Sequence, residues 1–389
     1  MACKAIISLL LLCLLTSCAC ATVLIQLAAN ASIEDYLDEH PRIKSRVSRT
    51  YSIGNFRAIA ADVDDSFAQK ISVEPEVESA SPDIQLHALD ATSIVTQDHA
   101  PRHLARLAQH AKLSASVTLG AETNFNFSYN STAGEGVDAY VIDTGIYIAH
   151  PDLEGRAVHG QDFTGEGTDD GNGHGTHVAG LIGSKTFGVA KKINLIAVKV
   201  LGATGGGTLS NVIAGIEYAA NQQMATKRPS VANLSLGAVY NAILNSAIKG
   251  ATESGLAVVV AAGNSGIPAC AISPASSRDA LTVGALDDAY DQIASFSNWG
   301  HCVDIFASGV AVVSLLNENN GTVALSGTSM ASPIIAGLVG YFMSLGDDIS
   351  SAFEHVKNAA TPNMINWLQI FFRPFTPNKI GFIDIPSDL

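Results

Sequence analysis

The pattern of apolar runs predicts an α/β fold: a doubly wound parallel sheet with helices on both faces, preceded by a small α+β unit of ferredoxin-like order. Three observations carry this. Val137 to Ile142, Ile193 to Val200, Val231 to Leu236, Ala257 to Ala262 and Leu281 to Val283 are short, nearly continuous apolar runs, as strands buried on both faces require. Helical periodicity fills intervals between and after them, over Leu209 to Asn221, Ala242 to Ser254 and Met330 to Leu345. The composition is 47% hydrophobic and 15% charged with 34 glycines, which excludes a disordered chain and suits close packing with many tight turns. Across 389 residues, 36 acidic side chains face 22 basic ones for a net charge of −14, so the clustered Lys and Arg of a nucleic-acid surface are not expected.

Taken in chain order, residues 1–21 read as a secretory signal. Lys4 is its basic region, Ile6 to Leu15 its apolar stretch, and Ala19-Cys20-Ala21 its small-residue cleavage site. The apolar stretch falls short of the ~18 to 20 residues of a transmembrane helix, so a membrane anchor is the weaker alternative and no membrane association is expected after cleavage. Residues 22–90 form the next segment. Val23 to Ile25, Thr50 to Ile53, Phe56 to Ala60 and a run from Val77 read as strands. Ser32 followed by Asp35 resembles a capping box that opens a helix, and Asp64 to Ile71 reads as a second helix, giving the order βαββαβ. At about 65 residues such a unit is marginal alone. From about Pro82 to Pro101 the chain is polar and aperiodic, the pattern of an exposed linker. Residues 91–389 carry the large α/β unit.

Removal of a signal would take Cys3, Cys13, Cys18 and Cys20 and leave only Cys270 and Cys302, a candidate single disulfide in an oxidising compartment. No pair has the spacing of zinc ligands. Asn30, Asn126, Asn130, Asn233 and Asn320 each begin an Asn-x-Ser/Thr triplet, and exposed copies are candidates for glycosylation. Asn233 lies in an apolar strand and is expected to stay unmodified.

In parallel α/β sheets, sites lie at the carboxyl ends of strands. Asp143 ends the first strand in Val141-Ile142-Asp143-Thr144-Gly145. His174 lies in Asp170-Gly171-Asn172-Gly173-His174-Gly175-Thr176-His177, and Ser329 in Gly327-Thr328-Ser329-Met330-Ala331-Ser332-Pro333 at a helix start. A serine hydroxyl is a poor nucleophile until a His accepts its proton, and an Asp must hold that His in the right tautomer. A helix N-terminus adds N–H donors where negative charge develops. His177, on the helix that follows His174, is the competing histidine and reads as structural. An α/β-hydrolase site would need a Gly-x-Ser-x-Gly elbow and the order Ser, Asp, His; here the order is Asp, His, Ser and Ser329 is not so flanked.

These motifs resemble those of the subtilisin-like serine proteases, in the branch of proteinase K and cerevisin, fungal vacuolar protease B. The resemblance runs from about Val23 to Leu345 and includes Tyr218-Ala219-Ala220 and Phe296-Ser297-Asn298-Trp299-Gly300. It implies a subtilisin-like fold and a serine endopeptidase acting on proteins and peptides. Asp143 resembles the orienting acid, His174 the general base, Ser329 the nucleophile and Asn264 the oxyanion-hole amide. Gly205-Gly206-Gly207 and Ser235-Leu236-Gly237 resemble the backbone segments that flank an extended substrate as added strands. The segment before the linker resembles an inhibitory propeptide and folding chaperone, and the family cuts its own linker. The cut is expected between Pro82 and Thr96, near Asp90.

The resemblance also implies that Cys270 pairs with Cys302, that catalysis needs no cofactor, and that the chain is a monomer, secreted or vacuolar. It implies a structural calcium ion on the Asp304 carboxylate and the carbonyls of Arg278 and Ala280; a simple Asp304–Arg278 salt bridge is the alternative. The chain departs from the family pattern at Ala238, where a second Gly is usual, at Ile334, where many members have His, and at Arg102-His103, where Trp-Gly is usual. The tail from Asn363, with Phe371-Phe372-Arg373-Pro374-Phe375, either packs on the domain or disturbs its end. A catalytically silent homologue with a binding or inhibitory role is the alternative function.

Overall fold

The computed structural model describes residues 21–29, 31–64, 67, 70–83, 93–113 and 125–385. The expected signal through residue 20, Asn30, half of the helix expected over 64–71 and the expected cut at Asp90 lie outside the described residues. The chain divides into two compact units, Met1–Asp90 and Ala91–Leu389.

In the first unit, β1 (Ala21–Leu27) leads to helices α1 (Ile33–Glu39) and α2 (Pro41–Lys44), then to β2 (Val47–Ile53), β3 (Phe56–Val63) and β4 (Val77–Pro82). The strands form one antiparallel sheet in the order β2-β3-β1-β4. The β1 alternation places Val23, Ile25 and Leu27 on a core with Tyr36, Ile43, Ile59 and Val63. Ser32 caps α1 by accepting the Asp35 N–H, as its spacing predicts.

The second unit opens with β5 (Ile94–Ala100), α3 (Arg102–Leu107) and β6 (Phe125–Asn130). Its frame continues through β7 (Asp138–Asp143), β8 (Ala157–Asp162), α4 (His174–Gly183), β9 (Asn194–Lys199), α5 (Leu209–Thr226), β10 (Ser230–Leu234), β11 (Ala238–Val239), α6 (Ala242–Glu253) and β12 (Ala257–Ala261). It ends with β13 (Ile272–Ser273), β14 (Leu281–Asp287), β15 (Gln292–Ile293), β16 (Ile305–Ser308), β17 (Val312–Leu315), β18 (Thr322–Leu325), α7 (Thr328–Ser344), α8 (Ile349–Ala359), β19 (Thr361–Pro362), α9 (Trp367–Phe371) and β20 (Lys379–Ile380). The main sheet runs β19-β20-β16-β14-β12-β10-β7-β9-β8, and every neighbouring pair from β20 to β8 is parallel.

The apolar runs are explained by burial on both faces. On β7, Ala139 and Val141 pack into the core with α4 and α7, while Tyr140 and Ile142 pack into a second core with α5 and α6. Strand order reverses at β7, between β10 and β9, which opens a crevice at the carboxyl ends there.

One reading changes, and two open points close. The linker ends earlier than its polarity suggests: Ile94–Ala100 pairs antiparallel with β6, Ile94 opposite Asn130. Its polar residues mark an exposed strand rather than a loop. β8 was hidden for a similar reason, because Ala-Val-His-Gly-Gln-Asp is the edge strand of the sheet and has one neighbour only. The tail packs on the domain. β20 pairs with β16, Gly381 N–H donates to the Phe306 carbonyl, and Ile383 N–H donates to the Leu107 carbonyl. Trp367, Phe371, Phe372 and Phe375 nevertheless remain exposed. Among the described residues no single helix is long and apolar enough to cross a membrane.

Candidate active site

β7 delivers Asp143 to the crevice, fully buried, and α4 begins with His174. His174 Nδ1 lies 2.7 Å from Asp143 Oδ1, and the Thr144 N–H donates to the same oxygen at 2.8 Å. Two glycines make this approach possible. Gly173 enters the helix with φ +96, a left-handed conformation that an L side chain resists. A Cβ on Gly175 would lie 2.1 Å from the Gly145 carbonyl oxygen, so a larger residue would push α4 away from the end of β7. Burial alone would lower the His174 pKa, but the Asp143 charge and hydrogen bond, with the Asp170 charge, outweigh it and hold it above its ordinary value.

His177 is fully buried and its Nε2 lies 3.1 Å from the carbonyls of Val312 and Val323, which fits the structural reading. Desolvation is the main cause that pushes its pKa down to about 4.

Ser329 sits in the first turn of α7, where N–H groups have no helical partner. Pro333 lies inside this helix and has no N–H to give the Ser329 carbonyl. That carbonyl instead accepts from Ser235 Oγ at 3.0 Å, while Ser329 Oγ donates to the Ser235 carbonyl at 3.2 Å. The exchange ties the helix to the segment Ser235-Leu236-Gly237. Asn233 Nδ2 donates to Ser235 Oγ and Asn233 Oδ1 accepts from Ser332 Oγ, so this buried amide is fully engaged and is no glycosylation acceptor in the folded chain.

Asn264 is exposed after β12, and its Oδ1 accepts from Thr328 N and Thr328 Oγ1 at 2.8 and 2.9 Å. The Thr328 N–H can only donate, which fixes the amide orientation and leaves the Nδ2 hydrogens for another acceptor. Sequence reasoning missed the residues that hold this loop. Asn298 Oδ1 accepts from Ser265 N and Ile267 N, and its Nδ2 donates to the Ala262 carbonyl. The Phe296 to Gly300 tract carried that signal without its role.

Two cavities flank Ser235-Leu236-Gly237-Ala238. One, of about 450 Å³, is bounded by Gly205, Gly206 and Gly207 with His174, Leu209 and Leu244. The other, of about 360 Å³, holds Asn264 and Ser329 with Ala261 and Ile272. The two cavities share the wall Ser235-Leu236-Gly237-Ala238, with His174 on one side of it and Asn264 and Ser329 on the other.

A family profile described as the subtilase family matches residues 134–365. The chain belongs to the subtilase family. A subtilase-type proteinase of Saccharomyces cerevisiae is 39% identical over 387 residues, covering 89% of this chain and 78% of the relative. Cerevisin of Saccharomyces cerevisiae is 45% identical over 312 residues, covering 77% of this chain and 47% of cerevisin. The crystal structure of a cold adapted subtilisin-like serine proteinase matches with a TM-score of 0.65 at 36% identity, covering 74% of this chain and 100% of that one. This subtilase is accordingly a subtilisin-like serine endopeptidase.

The departures from the subtilase pattern have structural accounts. Ile334 is buried in helix packing, and Ala238 lies exposed on β11 at the cleft. Arg102 pairs with Asp288 at 2.9 Å, and buried His103 meets the Phe187 carbonyl at 2.8 Å, with desolvation the main cause that lowers its pKa to about 4. Cys270 and Cys302 form a disulfide with Cα atoms 5.3 Å apart. Asn130 is buried, whereas Asn126 and Asn320 are exposed.

Asp304 Oδ2 accepts the Thr282 N–H at 2.8 Å. Arg278 donates to the His301 carbonyl and makes no ion pair with Asp304 among the described residues. Burial raises the Asp304 pKa, against a lowering pull from Thr282, Lys357, Arg278 and Lys379.

Proposed function

We propose that this subtilase is made as a self-processing zymogen and cleaves peptide bonds through an acyl-enzyme at Ser329. The observation that carries the reading is the 2.7 Å contact between buried Asp143 and His174, with His174 lining one of two cavities that share the wall Ser235-Leu236-Gly237-Ala238 and Ser329 and Asn264 lining the other. Asp143 holds Nδ1, so the other imidazole nitrogen serves as the base. Ser329 rotates its hydroxyl off the Ser235 carbonyl, gives its proton to His174 and attacks the scissile carbonyl. The proton then passes to the leaving amine, and water repeats the sequence to release the acyl group. The Ser329 N–H and Asn264 Nδ2 receive the oxyanion. Substrate lies extended between Gly205-Gly206-Gly207 and Ser235-Leu236-Gly237. A serine-directed phosphonylating reagent should mark Ser329 in the mature protein; no labelling would refute the reading.

Asn264→Ala should lower kcat by about 10²–10³-fold with little change in KM, a range known from the corresponding donor of subtilisin. Steady-state kinetics on a peptide amide measures this, and an unchanged kcat would remove Asn264 from the oxyanion site.

Residues 1–21 act in this reading as the signal, 22–90 as propeptide inhibitor and folding aid, and 91–389 as the catalytic domain, in a monomer delivered to the secretory pathway for export or to a vacuole. Structural calcium on the Asp304 carboxylate with the Arg278 and Ala280 carbonyls belongs to the same reading; Asp304 accepts the Thr282 N–H on one oxygen, and waters would complete the six to eight oxygens of the ion. Chelator and Asp304→Asn should each lower Tm, and a Tm unchanged by both would reject the site.

A further inference from the structure

We propose that Asp170 is a positioning residue for the reaction, locking the loop that presents His174 to Asp143. The proposal rests on the reading of Asp143, His174 and Ser329 as a triad.

Asp170 is buried, with 6% of its surface exposed. Its Oδ1 accepts from Thr144 Oγ1 and Gly173 N at 2.8 Å and from Asn172 N at 3.1 Å. Its Oδ2 accepts from Thr176 N at 2.9 Å and Thr176 Oγ1 at 2.6 Å. Neither hydroxyl has a free choice of direction. Thr144 Oγ1 already accepts the Gly175 N–H, and Thr176 Oγ1 already accepts the Tyr147 N–H, so the proton of each points at Asp170. Asp170 is therefore an acceptor on all sides.

These partners bracket the catalytic pair. Gly173, Gly175 and Thr176 surround His174 in sequence, and Thr144 follows Asp143 and donates its own N–H to the Asp143 carboxylate. One carboxylate thus holds both the turn after the acid and the backbone around the base. Each of its bonds has an ionised acceptor, which makes it shorter and stronger than a neutral pair. Asp170→Asn keeps the shape but turns an acceptor into a donor among donors, so at least one Thr or backbone link must open. A displacement of about 1 Å in such an array costs on the order of 10²-fold in rate.

The charge gives a signature that a purely structural role lacks. Asp143 and Asp170 are the charged groups that raise the His174 pKa against its burial, and His177 sits one turn along the same helix. His174 must be neutral to take the serine proton. Loss of the Asp170 charge lowers the His174 pKa, so the acid limb of kcat/KM moves to lower pH.

The test compares full-length Asp170→Asn, Ser329→Ala and Asp162→Asn. Asp162 is a matched control, because its carboxylate also accepts from Thr164 N, Thr164 Oγ1, Gly165 N and Gly167 N but does not reach His174. Asp170→Asn should lose about 10²-fold in kcat with KM nearly unchanged, and its acid limb should shift down. Asp162→Asn should keep both. Unchanged kcat and acid limb in Asp170→Asn, with Ser329→Ala inactive, would overturn the proposal and leave the triad standing. Activity retained in Ser329→Ala would instead overturn the triad. If Asp170→Asn does not fold, Thr144→Val decides, since it removes only the Asp170–Thr144–Gly175 link: a fall in kcat supports the proposal and an unchanged kcat overturns it.

Discussion

Ser329→Ala is expected to lower kcat by about 10⁶-fold, the size of loss known from the nucleophile of subtilisin itself. The alanine removes Oγ and with it only the hydroxyl's bond to the Ser235 carbonyl. The backbone exchange survives, because the Ser329 carbonyl still accepts from Ser235 Oγ and Asn264 still holds Thr328. The oxyanion donors therefore stay in place, and a residual rate of about 10³–10⁴-fold over water is expected. Self-processing should stop as well. Expressed alone in a host without other processing proteases, the variant should accumulate as a chain beginning near Thr22, read by intact mass and N-terminal sequencing. Normal maturation would show that an external protease makes the cut. His174→Ala should behave alike, because without its base the serine is hardly activated.

Much of this site is legible because its chemistry demands particular residues at strand ends. Asp143, His174 and Ser329 lie in glycine-rich or helix-starting tracts whose composition has no other strong reason. What stayed hidden was the support. Asp170 and Thr144 look like ordinary loop polars until the fold shows the N–H groups they face. Asn298 needs its long-range partners at Ala262, Ser265 and Ile267 before its role is visible. The same holds for the frame. Apolar runs reveal central strands, because burial on both faces leaves no polar positions. β5 and β8 have exposed faces or edges, so their sequences carry polar residues; β5 reads as linker, and β8 gives no strand signal. The tail at Lys379–Ile380 is too short for any pattern and joins the sheet through backbone pairing with β16.

Arg106→Ala is expected to cost about 3–5 kcal/mol of stability, the largest loss foreseen for any single surface-distant side chain here. The substitution removes a cation that is 1% exposed and faces Asp291, itself 2% exposed. Nε donates to Asp291 Oδ1 at 2.8 Å, the second terminal nitrogen to Oδ2 at 3.2 Å, and the first to the Gln109 carbonyl at 2.7 Å. The pair joins α3 to the loop after β14, next to the Arg102–Asp288 pair that makes the same connection. A buried ion pair adds little over apolar residues of the same size, because desolvation offsets most of the attraction. Breaking it is different, since Asp291 is then left buried without its counter-charge. Arg106→Lys should recover only part of the loss, because an ammonium cannot make the two parallel bonds. Arg106→Met combined with Asp291→Asn should recover part of it, since no unpaired charge remains and Asn tolerates the left-handed backbone there (φ +50). Denaturant unfolding in the Ser329→Ala background, which prevents autolysis, measures all three. A loss below about 1 kcal/mol for Arg106→Ala would mean that the pair behaves as a solvated surface bridge.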